Sequence, residues 1–259
     1  MTPSDIIKHG PAIVTGAGSG LGRALAHKLA EQGMCVALIG RQESALTESA
    51  RVNPERLIPY VCDVADADAM RATVEKFAQS YGTPRILINN AAIYPRRDIL
   101  EMPKDAFMQT VNINLGGVVN GVQAVLPHMI QDGVGRILNV ATFADMSPLP
   151  MSAEYSTSKG AARIFTRALI ADIGDRFPDI VVGDWMPGML ATQMGIEDGL
   201  PPETAASWGA ALAMMHEPAL TGTTFEMDRE ILSESGIKRK LKALLTLSRP
   251  QKPRMITSL

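Results

Sequence analysis

Short apolar runs alternate along the chain with longer segments in which apolar residues recur every three or four positions. The alternation begins with PAIVTG, continues with GRALAHKLAEQG and returns to an apolar run in MCVALIG. A short continuous apolar run bounded by turn formers suits a strand covered on both faces. A recurrence of 3.6 residues suits a helix laid over it. LIPYVCDV, RILINNAA, GRILNVAT and DIVVGDW repeat the strand pattern, and TGTTFEMD supplies a seventh strand. The helical segments between them cover roughly residues 21–32, 43–51, 66–81, 104–131, 153–176 and 202–216. This β-α-β order predicts an α/β fold, a doubly wound parallel seven-stranded sheet with helices on both faces. No linker or repeat divides it, so residues 1–230 read as one domain and residues 231–259 as an extension. Ligands of such sheets bind beyond the strand C-termini, where the strand order reverses.

Composition narrows the range of partners. With 259 residues, 46% of them hydrophobic, the chain can bury a sizeable core. A formal net charge of −2 argues against nucleic acid or an anionic membrane as the main partner and leaves a small molecule as the default. The opening MTPSDIIKHGPAIVTG carries an acid and no long apolar run, which fits neither a secretory signal nor a membrane span, so a cytoplasmic location is expected. Cys35 and Cys62 each sit inside an apolar run and read as buried free thiols. His9, His27, His128 and His216 show no ligand spacing, so no metal site is expected.

The first candidate chemistry lies directly after the first strand, in TGAGSGLG. Gly16, Gly20 and Gly22, with Ser19 and Leu21 between them, stand where a strand turns into a helix. Glycine there allows a tight turn and lets backbone N–H groups approach a pyrophosphate, while the helix N-terminus favours the anion. At the end of the second strand, a carboxylate would bond the adenosine ribose hydroxyls, whereas an arginine accommodates a 2′-phosphate. This chain has Gly40 followed by Arg41, which favours NADP(H). Glu43 is a mild objection, and NAD(H) remains the alternative.

A second constellation is MSAEYSTSKG, in which Tyr155 and Lys159 stand four positions apart and share one face of a helix. With the glycine turn and four further marks, the chain resembles the short-chain dehydrogenase/reductase family over roughly residues 11–228. The marks stand in order: CDV with Asp63 and the following Val64, NNAA with Asn89 and Asn90, Asn114 in VNINLGG, the Tyr155–Lys159 pair, and PGMLAT with Pro187, Gly188 and Thr192. The resemblance implies a Rossmann-type domain that interconverts a carbonyl and an alcohol by hydride transfer. It also implies that Tyr155 gives or takes the proton, that Lys159 holds the nicotinamide ribose and that Asn114 holds a water-linked proton path. Asp63 would contact adenine and Thr192 the carboxamide. Many relatives pair through two long helices, here 104–131 and 153–176, so a homodimer or homotetramer is expected. The residue types suit the task. Hydride transfer to a carbonyl builds charge on oxygen that must be protonated in step, and a nearby ammonium favours the ionised phenol. Small residues between Tyr155 and Lys159 leave room for the ribose.

Two positions depart from the family pattern. Thr142 stands where the family has serine, thirteen positions before the tyrosine, and Ala92 stands where NNAA would end in glycine. The threonine hydroxyl can still donate to a substrate oxygen, although its methyl stiffens χ1. Ser147 and Ser152 are the alternative donors. These departures leave a rival reading, a cofactor-binding sensor or scaffold with little turnover. Only residues 193–200 separate PGMLAT from the next helix start, which implies an open substrate site. The expected lining is apolar: Tyr94, Met146, Leu149, Met189 and Met194, with Met151 and Trp185 as further candidates. The end of the chain, IKRKLKALLTLSRPQKPRMITSL, is basic and reads as a solvated tail, with a subunit arm through Leu241, Leu244 and Leu245 or a weak contact with an anionic surface as alternatives.

Overall fold

The computed structural model describes residues 2–232, 252–257 and 259. It begins with a short helix, α1 (Pro3–His9). The Thr2 hydroxyl accepts from the Asp5 N–H at 3.2 Å, and the Asp5 carboxylate accepts from the Thr2 N–H at 3.0 Å. This reciprocal cap satisfies N–H groups that a helix start leaves unpaired. The first half continues through β1 (Ala12–Thr15), α2 (Gly20–Glu31), β2 (Val36–Gly40), α3 (Glu43–Ala50), β3 (Leu57–Val61), α4 (Ala67–Tyr81) and β4 (Ile86–Asn89). The second half holds α5 (Ala106–Val111), a π turn (Asn112–Gly116), α6 (Gly117–Asp132), β5 (Gly135–Val140), a 3-10 turn (Phe143–Asp145), α7 (Ala153–Ile173) and β6 (Ile180–Met186). It closes with α8 (Pro202–Met214), a second 3-10 turn (Pro218–Leu220), β7 (Thr224–Glu226) and β8 (Arg229–Ile231).

The strands form one sheet in the order β3-β2-β1-β4-β5-β6-β7-β8. All neighbours are parallel except β7 and β8, which pair antiparallel. The doubly wound architecture is the expected one. Among the described residues its sheet has eight strands rather than seven, because Arg229–Ile231 folds back on β7 as a hairpin in which Met227 takes φ +51°. Three residues reading Arg-Glu-Ile carry no apolar run by which to find that strand. The helix expected over 104–131 is interrupted by the π turn at Asn112–Gly116.

Side chains alternate across the sheet, so each strand feeds two cores. Ala12 and Val14 pack on one face with Leu25 and Leu29 of α2 and Leu212 of α8. Ile13 packs on the other with Val74 of α4, Val125 of α6 and Leu169 of α7. Trp185 is fully buried in the first core, donates its indole N–H to the Met227 carbonyl at 3.0 Å, and faces Gly209, where a Cβ would come within 2.5 Å of its ring. Arg136, 1% exposed, spans β5, β6 and α8 by donating to the carbonyls of Ile137, Val181 and Leu212. Among the described residues, no helix is long and apolar enough to cross a membrane.

The expectation of a solvated tail does not hold for residues 252–257. The Glu230 N–H donates to the Arg254 carbonyl at 2.9 Å, the Ile256 N–H donates to the Asp228 carbonyl at 2.7 Å, and the Glu230 carboxylate pairs with Arg254 at 3.3 Å. Ile256 is buried in the α8-side core. An otherwise unpaired edge strand and one apolar side chain hold the segment there. Leu241, Leu244 and Leu245 lie outside the described residues.

Candidate active site

A cleft of about 930 Å3 lies over the C-terminal ends of β1 to β6, beside the point where the strand order reverses between β1 and β4. Gly16, Ser19, Gly20, Leu21 and Gly22 line one end of it, with Arg41, Asp63 and Val64 beyond them. Gly16 adopts φ +69°, and a Cβ on Gly22 would lie 2.2 Å from the Gly16 carbonyl oxygen, so the turn and the start of α2 touch at a distance only glycine permits. Asn90 braces the turn from β4. Its amide donates to the Thr15 carbonyl at 2.9 Å, and the N–H groups of Asn90 and Ala91 each donate to the Thr15 hydroxyl at 3.0 Å. Ser19 makes no side-chain capping bond, which leaves the first N–H groups of α2 for an anion. A cradle with no room for a side chain, a helix start and a cation further out together fit a dinucleotide phosphate.

The other end of the cleft is lined by Thr142, Tyr155, Lys159, Pro187, Gly188 and Thr192. Tyr155 and Lys159 lie in the first two turns of α7, which its N-terminus at Ala153 aims at the end of β5. Burial pushes the Tyr155 phenol above its usual range. The Thr142 side chain pulls the other way, and Tyr94 and Asp145 add to the rise. Lys159 is 3% exposed and donates to the Val140 carbonyl at 2.6 Å. Burial brings its ammonium down to about 8, against the opposing pull of Asp184 and Asp145. The Lys159 ammonium, expected to favour the ionised phenol, is not among the influences on it; burial is the largest, and the phenol pKa is raised rather than lowered. The Thr142 hydroxyl oxygen accepts from the Ala144 N–H at 3.2 Å, which leaves its own O–H to donate.

Below this pair runs a buried polar chain. Asn89 donates to Asn139 at 2.9 Å, Asn139 to the Thr166 hydroxyl at 2.9 Å, and Thr166 to the Asp184 carboxylate at 2.7 Å. Lys159, Arg163 and Thr166 stand on one face of α7 by their spacing, and Arg163 pairs with Asp145 at 2.9 Å. Burial pushes the Asp184 carboxyl up to about 6, although the Thr166 hydrogen bond and the charges of Arg163, Arg167 and Lys159 oppose it.

Asn114 sits fully buried in the π turn, and its side chain does not line the cleft. Its oxygen accepts from the Ile93 N–H at 2.8 Å, and its amide donates to the Ile93 carbonyl and the Ser158 hydroxyl, both at 3.0 Å. The side chain therefore brackets the loop after β4 against α7. Asn89, expected at the cofactor, also stays out of the cleft. The alternation that turns Asn90 toward the glycine turn turns Asn89 into the sheet interior against Gly121 of α6, where a Cβ would meet its oxygen at 2.5 Å. Among the expected substrate-side residues, Tyr94, Leu149, Met189 and Met194 line the cleft, while Met146 points to solvent and Trp185 belongs to the core. Met151 is exposed outside the cleft, and neither Ser147 nor Ser152 lines it; Ser152 bonds Leu149 and Ser156 instead.

Three contacts were not legible in the sequence. Tyr94 stacks on Tyr155 with ring centroids 4.3 Å apart and planes 18° from parallel. Arg96 lies over the Tyr94 ring at 5.3 Å and donates across the cleft to the carbonyls of Met194 and Gly195 at 3.2 and 2.8 Å. Glu154, 1% exposed, holds Arg97 at 3.2 Å and accepts from Thr110 at 3.0 Å, fixing the same loop to the start of α7. The only sequence signal was a pair of arginines two residues after Tyr94, with no periodicity to say what they meet.

Comparison with known proteins bears on the family and the fold. A family model described as short chain dehydrogenase matches residues 11–200. The chain is 36% identical over 186 residues to the short-chain reductase protein NovJ of Streptomyces niveus, covering 71% of this chain and 70% of that protein. It is 32% identical over 185 residues to the 3-oxoacyl-[acyl-carrier-protein] reductase FabG of Thermotoga maritima, covering 70% and 74%. A protein of Mycobacterium tuberculosis named "Probable oxidoreductase EphD" is 37% identical over 164 residues, which is 62% of this chain and only 28% of that longer protein. Among solved structures, an actinorhodin polyketide ketoreductase with NADPH superposes with TM-score 0.77 at 25% identity, covering 85% of this chain and 96% of the other.

Proposed function

Since the chain belongs to the short-chain dehydrogenases, a family of NAD(P)-dependent oxidoreductases acting on CH–OH and C=O groups, we propose that it reduces a ketone or aldehyde with NADPH. The reverse alcohol oxidation would run in the same site. The observation that carries this reading is that Tyr155, Lys159 and Thr142 line one end of the cleft together, the first two a single turn apart on α7. A group that must give a proton to a developing alkoxide is best held protonated until the charge appears.

The residues that would hold the dinucleotide all line the cleft, and their roles are assigned by family likeness. The Ser19–Gly22 turn would meet the diphosphate, Arg41 a 2′-phosphate, Asp63 the adenine, Lys159 the nicotinamide ribose and Thr192 the carboxamide. When bound, the nicotinamide supplies or takes the hydride. Thr142 polarises the substrate oxygen, and Tyr155 delivers the proton to it. Lys159 steadies the phenolate left behind, with its charge supported by Asp184 and Asp145. Arg41 and the NADPH bound by the similar ketoreductase support the phosphorylated cofactor. By family likeness we also expect a homodimer or homotetramer through α6 and α7; Ile164 of α7 is 61% exposed in the single chain.

The experiment is a panel of carbonyl compounds followed by the loss of NADPH absorbance, with Tyr155→Phe as control. Tyr155→Phe should bind NADPH as the parent does and turn over ~10²-fold more slowly or less. Tight NADPH binding without turnover by the parent across a broad panel would favour the sensor reading instead.

A further inference from the structure

Among the described residues, four charged side chains line the cleft: Arg41, Asp63, Lys159 and Arg96. The reading above places Arg41 and Asp63 at the adenosine and Lys159 at the nicotinamide ribose. That leaves Arg96, at the substrate end, where the surrounding wall is formed by Phe143, Leu149, Met189, Met194 and Ile196. Its backbone takes φ +46°, a conformation that residues other than glycine rarely adopt and that persists where the surrounding structure imposes it. This conformation accompanies a guanidinium lying over Tyr94 and reaching across to the 194–195 carbonyls.

The neighbouring arginine shows what is missing. Arg97 has the carboxylate of Glu154 at 3.2 Å, whereas among the described residues Arg96 pairs with no acid. Both of its protein hydrogen bonds leave from Nη2, so Nε and Nη1 keep three N–H groups without a partner among the described residues. A planar guanidinium with open donors matches a carboxylate in particular. A doubly charged phosphate would call for a second cation, and among the described residues the other cation at this end, Lys159, is already assigned to the nicotinamide ribose.

Resting on the reductase reading, we propose that Arg96 is a specificity-determining residue that binds the carboxylate of a keto acid or hydroxy acid, whose hydrocarbon chain lies along the apolar wall. The spacing is set by the stack. Arg96 lies 5.3 Å from the Tyr94 ring centre and that centre 4.3 Å from the Tyr155 ring centre, so the guanidinium carbon stands at most about 10 Å from the Tyr155 ring, whose hydroxyl extends ~3 Å beyond the ring centre. About five bonds between carbonyl and carboxylate, at ~1.5 Å each and with a contact distance at either end, reach that upper limit, and the flexible chain folds to meet a shorter one.

The test uses 6-oxoheptanoate and its methyl ester, which differ by one negative charge, titrated calorimetrically into the full chain saturated with NADP+. The parent should prefer the acid over the ester by about tenfold or more, as expected for a hydrogen bond to a charged group. In Arg96→Gln that preference should collapse to near one, in Arg96→Lys part of it should remain, and in the parent it should shrink as salt is raised. No preference in the parent, or an equal loss of acid and ester binding in Arg96→Gln, would overturn the proposal. The second result would make the arginine only a strap across the cleft. Turnover of the two probes, followed separately by NADPH absorbance, tests the reductase reading on its own.

Discussion

The ring of Tyr94 lies flat against that of Tyr155, 4.3 Å between centroids, so the proposed proton donor has a second tyrosine as its ceiling. The contact excludes water from one face of the phenol. Burial is the largest cause of its raised pKa, and Tyr94 is itself a further cause. Tyr94→Ala should therefore let the Tyr155 pKa fall back toward the usual tyrosine value. The alkaline-going limb of the alcohol-oxidation rate, which needs the phenolate as base, should move to lower pH. A pH–rate profile that does not move would show that the stack has no hold on the proton.

Thr142 separates a working donor from a side chain that only fills space. Thr142→Ser should keep or raise activity, whereas Thr142→Val, close in shape but without the hydroxyl, should lose about 10²–10³-fold in kcat. Because Thr142 also accepts from Ala144 at 3.2 Å, the valine form should lose a little stability as well. Thermal denaturation of both variants separates that effect from the loss of rate. Undiminished turnover by the valine form on a confirmed substrate would hand the polarising role to Tyr155 alone.

Arg41→Ala should weaken NADPH binding by roughly 10-fold or more and leave NADH nearly untouched, since a lost charge-assisted phosphate contact costs about 1.5–3 kcal/mol. Fluorescence titration with each cofactor measures both constants. Equal weakening of the two would mean that Arg41 serves the turn after β2 rather than a phosphate.

Asp184 gives two pH signatures. Its carboxyl titrates at about 6 in the folded protein, above its ordinary 3.8. The folded state therefore holds the extra proton between those values, and the stability this contributes is present below pH ~4 and lost as pH rises through ~6. Asp184→Asn should flatten that part of the stability curve, read as Tm at pH 4.5 and 7. It also removes the anion that does most to support the Lys159 charge, so the lysine, at about 8 in the parent, should lose its proton at lower pH. The alkaline limb of NADPH binding should move down with it. An unchanged limb would place Asp184 outside the electrostatics of the site.

The glycine turn, the Tyr155–Lys159 spacing and the alternation of strands with helices were legible because each is local: a few residues carry the whole geometric demand. Asn89 and Asn90 show where that stops. Both belong to one motif, yet strand alternation sends one to the cleft and the other into the interior, and the sequence alone does not say which parity faces the ligand. Met146 and Leu149 differ in the same way within a loop, where no period exists to assign a side. Arg96 could not be found at all, because its partners stand about a hundred positions away at Met194 and Gly195. The helix at Pro3–His9 was legible in principle, since Thr2 and Asp5 spell a capping box that the pattern of apolar residues passes over.

The cleft is lined from Gly16 to Ile196, and the strand that carries the glycine turn is flanked by β2 on one side and β4 on the other. No short fragment of the chain contains both walls, and contacts of such sequence separation form late in folding. On the reductase reading, NADPH should thus recognise only molecules in which β6 has already taken its place. It should leave the rate of refolding nearly unchanged while holding the finished product, by about 2.7 kcal/mol at a hundredfold excess over Kd. In a cell that places cofactor supply and proteolysis in competition for the same newly made chain. When the nucleotide pool falls, the amount of this protein should fall too, with no change in its synthesis.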